Sequence, residues 1–351
     1  MLNIFTYNLL ADPLANTTSY RTYHPKVLDS KRRWGMTMKI LGNAVEKGAD
    51  ILCLQEVGKT RRSQLEDFFD EKGYRTFFMT QGDHYNDYMG LMLVARRTLS
   101  PRQPEYIKIS DVMENEYKVD EFHLQEILDK LRSERRNDAL LQLHNVETRS
   151  IESVQVKEEP TDLQRDIDTA KAQAVEWYEK VKRNWNWIIR IKVQYQGVEV
   201  VIATTHLPCR YADPRSMILY ARAVISTVKD HPFSILAGDF NISSKELAYN
   251  SLVLDMKSAH VLACCTEPEF TTSAETTFRA GPPNAFKGTI DYVLVKGFTK
   301  SSILHVHEET EKLPSETHPS DHLPLFFALD LFSVPMTAPM TMTAIRPSRN
   351  Q

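Results

Sequence analysis

Short apolar runs of strand character recur along most of the chain: Leu2–Tyr7, Ile51–Leu54, Thr76–Met79, Leu91–Ala95, Trp187–Val193, Val198–Thr205, Ile235–Ala237, Ile290–Val295 and Leu325–Leu331. Between some of them the apolar positions switch to helical spacing, over Lys31–Lys47, Arg62–Lys72 and Pro214–Lys229. The last of these carries Met217, Ile218, Tyr220, Ala221, Val224 and Ile225 at helix-face intervals. Short turns such as Gln196-Gly197 join neighbouring strands, which implies antiparallel pairing. This order predicts an α/β protein built as a mixed-sheet sandwich flanked by helices, rather than a regular βαβ alternation.

Residues 101–185 interrupt the rhythm. Here the chain turns charged and helical, with Leu124, Ile127, Leu128 and Leu131 in one stripe and a break at Glu158-Glu159-Pro160. Thr161 with Gln164 then forms a capping box that opens a second helix towards Tyr178 and Val181. The stretch reads as a helical insertion on the surface of a single domain spanning residues 1–332, with a lid or a dock for a protein partner as its functional alternative. Residues 333–351, rich in Pro, Met and Thr, carry no periodicity and are predicted to be a disordered tail.

With 351 residues, 42% of them hydrophobic and 25% charged, the chain can bury a large core. Its net charge of -3 excludes a global basic field for non-specific nucleic-acid binding, so a phosphate substrate would need local cations. Bound divalent ions supply such charge directly. Four cysteines, Cys53, Cys209, Cys264 and Cys265, form neither a CxxC pair nor a dense framework, and read as reduced intracellular thiols rather than zinc ligands. A core strand at Ile4–Tyr7 leaves no room for a presequence, and no apolar run reaches the roughly 18 residues that would span a membrane. The expected location is therefore intracellular, cytoplasmic rather than nuclear.

The informative polar residues stand at strand ends, where a rigid element fixes the side chain while the loop beyond leaves room for substrate. Asn8 follows Phe5-Thr6-Tyr7, Glu56 follows Ile51–Gln55, and His206 follows Val201–Thr205. Asp239 and Asn241 follow Ile235–Gly238, Asp291 lies in Thr289–Tyr292, and Ser320-Asp321-His322 precedes the final apolar run. Taken singly, Asn8 would be a turn residue, His206 a satisfied histidine and Asp321-His322 a loop pair or helix cap. An acid such as Glu56 after a buried strand is harder to dismiss, since it must be paired or bind a metal. Phosphodiester hydrolysis accounts for the whole set, because it needs hard oxygen ligands for magnesium, a base for water and donors around the developing charge. Glu56 is then the main metal carboxylate, with Asn8 and Asp321 beside it. Asp239 orients or deprotonates water, and Asn241 and Asn8 are neutral donors to phosphate or water. His322 faces the phosphate, Asp291 fixes its tautomer and favours the imidazolium, and His206 donates to a non-bridging oxygen.

The strings Leu54-Gln55-Glu56-Val57, Thr205-His206-Leu207, Gly238-Asp239-Phe240-Asn241, Ile290-Asp291-Tyr292 and Ser320-Asp321-His322 follow one another in a familiar order. In this the chain resembles the endonuclease/exonuclease/phosphatase superfamily, the group of DNase I and exonuclease III. The resemblance implies a four-layered α-β-β-α sandwich of two mixed, largely antiparallel sheets, magnesium as cofactor with manganese as a substitute, and the roles just given. Thr6–Asp12, Tyr23-His24-Pro25, Leu28–Arg33 and Phe286–Tyr292 are similar to the carbon-catabolite-repressor-type deadenylases. That subgroup implies Phe286 as a base-stacking platform and single-stranded RNA or adenylate nucleotides as partners. Arg210, in the loop after His206, is a further candidate substrate contact. This loop, His206–Tyr211, is shorter than the deadenylase loop and lacks its Trp-Asp-Pro stretch, and the chain has no leucine-rich-repeat docking module.

The expected activity is 3′-5′ exoribonucleolytic release of 5′-AMP from poly(A) or adenylate-rich RNA. Related members similar to nocturnin, the Angel proteins or the 2′,5′-phosphodiesterase suggest dinucleotide 2′-phosphates, 2′,3′-cyclic phosphate ends or 2′,5′-oligoadenylates instead. An inositol phosphatase is disfavoured, since its Pro-Ala-Trp-Cys-Asp-Arg string is missing before Asp291. A catalytically silent RNA-binding scaffold is the alternative from another class, although every metal and water-positioning group is present.

Overall fold

The protein is described as a computed structural model that places residues 1–81, 89–116, 160–183, 186–210, 212–276, 284–305 and 312–331. The stripe from Leu124 to Leu131 and the tail 333–351 lie outside the described residues. Among the described residues, twelve strands make two six-stranded sheets, and two more form a separate ribbon.

The first sheet contains β1 (Leu2–Asn8), β2 (Ile51–Gly58), β3 (Tyr74–Thr80), β4 (Met89–Arg96), β13 (Phe298–His305) and β14 (Leu325–Leu331), in the order β13-β14-β1-β2-β4-β3. The second contains β5 (Glu105–Lys108), β6 (Trp187–Tyr195), β7 (Val198–His206), β8 (Ser234–Asp239), β9 (Lys257–Ser258) and β12 (Asp291–Lys296), in the order β5-β6-β7-β8-β12-β9. Continuous apolar runs are needed because both faces of each sheet are covered. In β2, Ile51 and Cys53 enter the core between the sheets, while Leu52 and Leu54 enter the core beneath the helices.

Helices α1 (Ser30–Glu46) and α2 (Arg62–Glu71) cover the outer face of the first sheet through Leu41, Ala44, Leu65 and Phe69. α1 begins where the Asp29 side chain accepts the Arg32 N–H at 2.7 Å, and it buries Arg33, Thr37, Leu41 and Ala44 along one stripe. The second sheet is covered by α3 (Ile109–Glu116), α4 (Pro160–Lys182), α5 (Pro214–Ser226) and α6 (Leu247–Val253), through Met113, Val181, Tyr220 and Leu252 among others. A short helix, α7 (Ala259–Cys264), contributes Ala259 to the inter-sheet core. The layers are thus α-β-β-α, as expected. None of the described helices is long and apolar enough to cross a membrane.

Of residues 101–185, those described are not all surface helix. Glu105–Lys108 pairs antiparallel with β6, and Ile109, Met113, Tyr178 and Val181 are buried in the outer core of the second sheet. The polar strand β13 and the ribbon of β10 (Thr272–Thr276) with β11 (Asn284–Gly288) also carry no apolar run.

Register then brings the polar strand ends together. β1 pairs parallel with β2, setting Asn8 opposite Gln55, and β7 pairs parallel with β8, setting His206 opposite Asp239. β12 runs antiparallel to β8, so its first residue, Asp291, faces Asp239. The carboxyl ends of four strands and the start of a fifth therefore meet at one edge of the sandwich.

Candidate active site

Two backbone departures shape the site. Between the Leu54–Met92 and Val57–Gly90 pairs, β2 carries Gln55 and Glu56 against the single residue Leu91, and Glu56 sits in the left-handed region at φ 53°. This bulge ends regular pairing and redirects the side chain. Asn241 is also left-handed, at φ 50°. Such conformations in non-glycine residues cost of order 1–3 kcal/mol and gather at functional sites. Gly238 has a different task, since a Cβ there would lie 2.0 Å from the Thr205 carbonyl oxygen, so only glycine lets β7 and β8 close up beside Asp239.

Asn8, 0% exposed, is the central connector. Its Nδ2 donates to Glu56 Oε1 at 3.1 Å and to Asp239 Oδ2 at 3.0 Å, bridging the sheets, while its Oδ1 accepts from the Leu10 N–H at 3.0 Å. The other Glu56 oxygen accepts from the Ala11 N–H at 2.9 Å. Asp239 Oδ1 accepts from the Asn241 N–H at 2.9 Å, and Asn241 Nδ2 donates to the Leu207 carbonyl at 2.9 Å. Around Asp239 Oδ2 stand His206 Nε2 at 3.4 Å and His322 Nε2 at 3.7 Å.

His322 Nδ1 donates to Asp291 Oδ2 at 2.9 Å. Burial opposes charge on this ring, but Asp291, Asp239 and Asp321 outweigh it and hold the imidazole well above its ordinary pKa. Burial likewise pushes the Asp291 carboxyl up, to about 6, against the attraction of His322. At neutral pH the His322 direction places the proton on the imidazole, and Asp291, although raised, still lies below pH 7 and stays a carboxylate. The carboxylate–imidazole pairing predicted from Asp291 and His322 is thus present in the geometry.

Several supports of the site carry no recognisable sequence signal. Thr271, fully buried, donates to Asp291 Oδ2 at 2.6 Å and accepts the N–H groups of Ile290 and Asp291 at 3.0 and 3.1 Å. Tyr20 Oη donates to Asp321 Oδ2 at 2.7 Å. His318 Nε2 lies 2.7 Å from the His322 carbonyl and 3.1 Å from Tyr7 Oη. Ser320 Oγ donates to the Asn8 carbonyl at 2.7 Å, tying the Ser320-Asp321-His322 string to β1. Only this serine stood inside a legible motif.

The other two expected contacts sit apart from the buried cluster. Phe286 is on the β10–β11 ribbon opposite Ala274, and Arg210 lies in the loop leading to α5, where its carbonyl accepts the Asp213 N–H. The ribbon remains adjacent to the site, since Thr272 bridges to His322.

The donor set suits a hard divalent cation. Glu56 and Asp239 are buried carboxylates held by amide donors, with Asp321 alongside and no lysine or arginine hydrogen-bonded to any of the three among the described residues. Asp239, Asp291 and His322 also bring one ligand atom each to within 4.8 Å of one another. Asp291 and His322 already bind each other, and Asn8, expected as a metal ligand, instead turns its Nδ2 to Glu56 and Asp239 and its Oδ1 to the Leu10 N–H, so that it positions the two carboxylates rather than offering an oxygen to an ion.

Residues 5–322 match the endonuclease/exonuclease/phosphatase family. Similar solved structures include ANGEL2, a 2′,3′-cyclic phosphatase in complex with adenosine-2′,3′-vanadate, at 14% identity and a TM-score of 0.61 over 94% of this chain and 96% of that one. The human Nocturnin catalytic domain with bound sulfate is 18% identical, with a TM-score of 0.55 over 93% of each chain. D. rerio TDP2 with a single-strand DNA product is 14% identical, with a TM-score of 0.55 over 94% of this chain and 98% of that one. A search of curated proteins finds no match. Members of the matched family are hydrolases of phosphodiester bonds and in general depend on divalent metal, which agrees with the cluster described above. From its site geometry and from a match running nearly end to end, the chain belongs to the endonuclease/exonuclease/phosphatase family.

Proposed function

We propose that this protein is a magnesium-dependent phosphodiesterase that removes 3′-terminal adenylates from single-stranded RNA, releasing 5′-AMP. The observation that carries the hydrolytic part is the convergence of Glu56, Asp239, Asn8, Asn241, His206 and the Asp291–His322 pair at one edge of the sandwich. Glu56 and Asp321 are the residues that would hold the ion, with Asn8 Nδ2 fixing the Glu56 carboxylate. When bound, it would neutralise phosphate oxygens and act as a Lewis acid.

The remaining roles follow from the chain's own groups. Asp239 is positioned by two donors and can take a proton from an attacking water. His322, kept as imidazolium by Asp291, offers a charge-assisted donor to the phosphate. His206 Nε2, beside Asp239 Oδ2, adds a donor, and Asn241 is anchored on Asp239 and the Leu207 carbonyl. Preference for adenylate rests on the similarity of the Thr6–Asp12 and Phe286–Tyr292 strings to the deadenylases.

The likeness to a structure of a 2′,3′-cyclic phosphatase bound to an adenosine-2′,3′-vanadate supports a second reading, in which the substrate is a cyclic phosphate at an RNA end. A magnesium-dependent panel separates the two. Purified protein is given A-tailed RNA, random RNA, 2′,3′-cyclic-phosphate-ended RNA, 2′,5′-oligoadenylate and a dinucleotide 2′-phosphate, with Glu56→Ala as control. Stepwise release of 5′-AMP from the A-tailed RNA alone supports the first reading. Intact A-tailed RNA with rapid opening of the cyclic end replaces it with the second, and RNA binding without turnover would point to a scaffold.

A further inference from the structure

We infer that the turn Lys59–Arg62, with Trp34 and Phe78, is the track for the stretch of single-stranded RNA that flanks the scissile phosphate. The inference rests on the phosphodiesterase reading and adds where the polymer lies. β2 places the turn three residues beyond Glu56, immediately after Gly58. A small, shallow pocket is lined by Glu56, Asp12, Trp34 and Arg61, so the rim adjoins the candidate metal site.

Chemistry at the rim suits a polyanion with flat bases. The Arg61 guanidinium lies 4.8 Å from the Trp34 ring centre and that of Arg62 lies 4.6 Å from Phe78, two consecutive arginine–aromatic stacks. Guanidinium planes and aromatic faces are the surfaces on which unpaired bases stack, and the same guanidinium groups reach phosphate oxygens. Lys59 and Arg62 are exposed, and Lys59 has no ion-pair partner among the described residues.

The counter-charges are Asp12, 3.3 Å from Arg61, and Glu66, 2.7 Å from Arg62. The Arg62–Glu66 pair is half exposed and a weak competitor, since surface pairs contribute about 0–1 kcal/mol. Arg61 is held more firmly, because Ser30 Oγ also accepts from it at 2.9 Å. Lys59, and Arg62 once it exchanges Glu66 for a phosphate, are therefore the phosphate contacts, with Arg61 as a fixed stacking surface. On a chain whose net charge is -3, such a track has to be local.

Two measurements test the track on the intact protein. Binding of a fluorescein-labelled 20-nucleotide A-tailed RNA is followed by anisotropy in EDTA, without turnover, at several salt concentrations. Lys59→Ala/Arg62→Ala should weaken binding about tenfold and lower the magnitude of the salt slope by about 1.4, two contacts at roughly 0.7 each for a single strand. With magnesium, the wild-type KM should fall as RNA lengthens from two to twenty nucleotides, and the double variant should flatten that dependence. Lys257→Ala, on the edge strand β9, should keep it. Unchanged affinity and slope in the double variant, or no RNA binding by the wild type, overturns the track. Failure of the wild type to hydrolyse any RNA in the panel overturns the substrate reading instead, while anisotropy still decides the track.

Discussion

Replacing Thr271 by valine tests whether the buried hydroxyl under Asp291 matters as much as its geometry implies. Valine fills the same space but loses three hydrogen bonds: the 2.6 Å bond donated to Asp291 Oδ2, and those accepted from the Ile290 and Asp291 N–H groups. A hydrogen bond to a charged group is worth about 1.5–3 kcal/mol, and each buried N–H left unmatched costs about 1–3 kcal/mol. Taking about 2 kcal/mol for the first and about 1 for each of the others gives a loss near 4 kcal/mol, a large share of a typical 5–15. Thr271→Ser keeps all three bonds and drops one methyl, so it should lose only about 1 kcal/mol. Urea unfolding at pH 7 measures both, read as a shift in midpoint at constant slope. Because Asp291 orients His322, the valine variant should also lower kcat about tenfold or more with little change in KM, and serine should restore it. A valine variant within about 1 kcal/mol of wild type and fully active would refute the reasoning.

Other expectations follow from the same geometry. Glu56→Gln, which keeps the shape but removes the charge, should cut magnesium-dependent turnover by about 10²-fold or more while the far-UV spectrum is unchanged; retained turnover would remove Glu56 from the ion's seat. Saturating magnesium should raise the calorimetric Tm of wild type, by about 2.7 kcal/mol of stability at a hundred times Kd, and EDTA should reverse it. Glu56→Gln should lose most of that shift, and an equal shift in both proteins would contradict the assignment. Gly238→Ala forces a Cβ to within 2.0 Å of the Thr205 carbonyl, so it should cost about 3 kcal/mol or more, or yield insoluble protein. A stable, active Gly238→Ala protein would mean that β7 and β8 can separate. In metal-free protein, nitrogen-15 NMR should find both His322 ring nitrogens protonated at pH 7. The folded pKa is raised, so this proton stabilises fully below the unfolded value of about 6.5 and the benefit fades as pH climbs through the folded value. A neutral tautomer at pH 7 would refute the carboxylate control of His322.

Which strands would form, and which chemistry stood at their ends, was written in the sequence by itself. Strands buried on both faces must be apolar throughout, so runs such as Ile51–Leu54 and Ile235–Ala237 announce themselves, and a carboxylate or amide directly after one is conspicuous. That local logic singled out Asn8, Glu56, His206, Asp239, Asn241, Asp291 and His322, which the strand registers bring to one edge. It was silent on edge and ribbon strands such as β5, β10, β11 and β13, whose solvated faces break the apolar run. It could not reveal the bulge that turns Glu56 to φ 53°, because that depends on pairing with β4, nor Asn8 as a bridge to Asp239, a bond between residues 231 positions apart. Thr271, Tyr20 and His318 are ordinary residues until the chain returns beside Asp291, Asp321 and His322. Short-range patterning selects the elements and their end groups because burial is decided residue by residue. The protonation, orientation and support of those groups come from long-range contacts, which exist only once both sheets have packed.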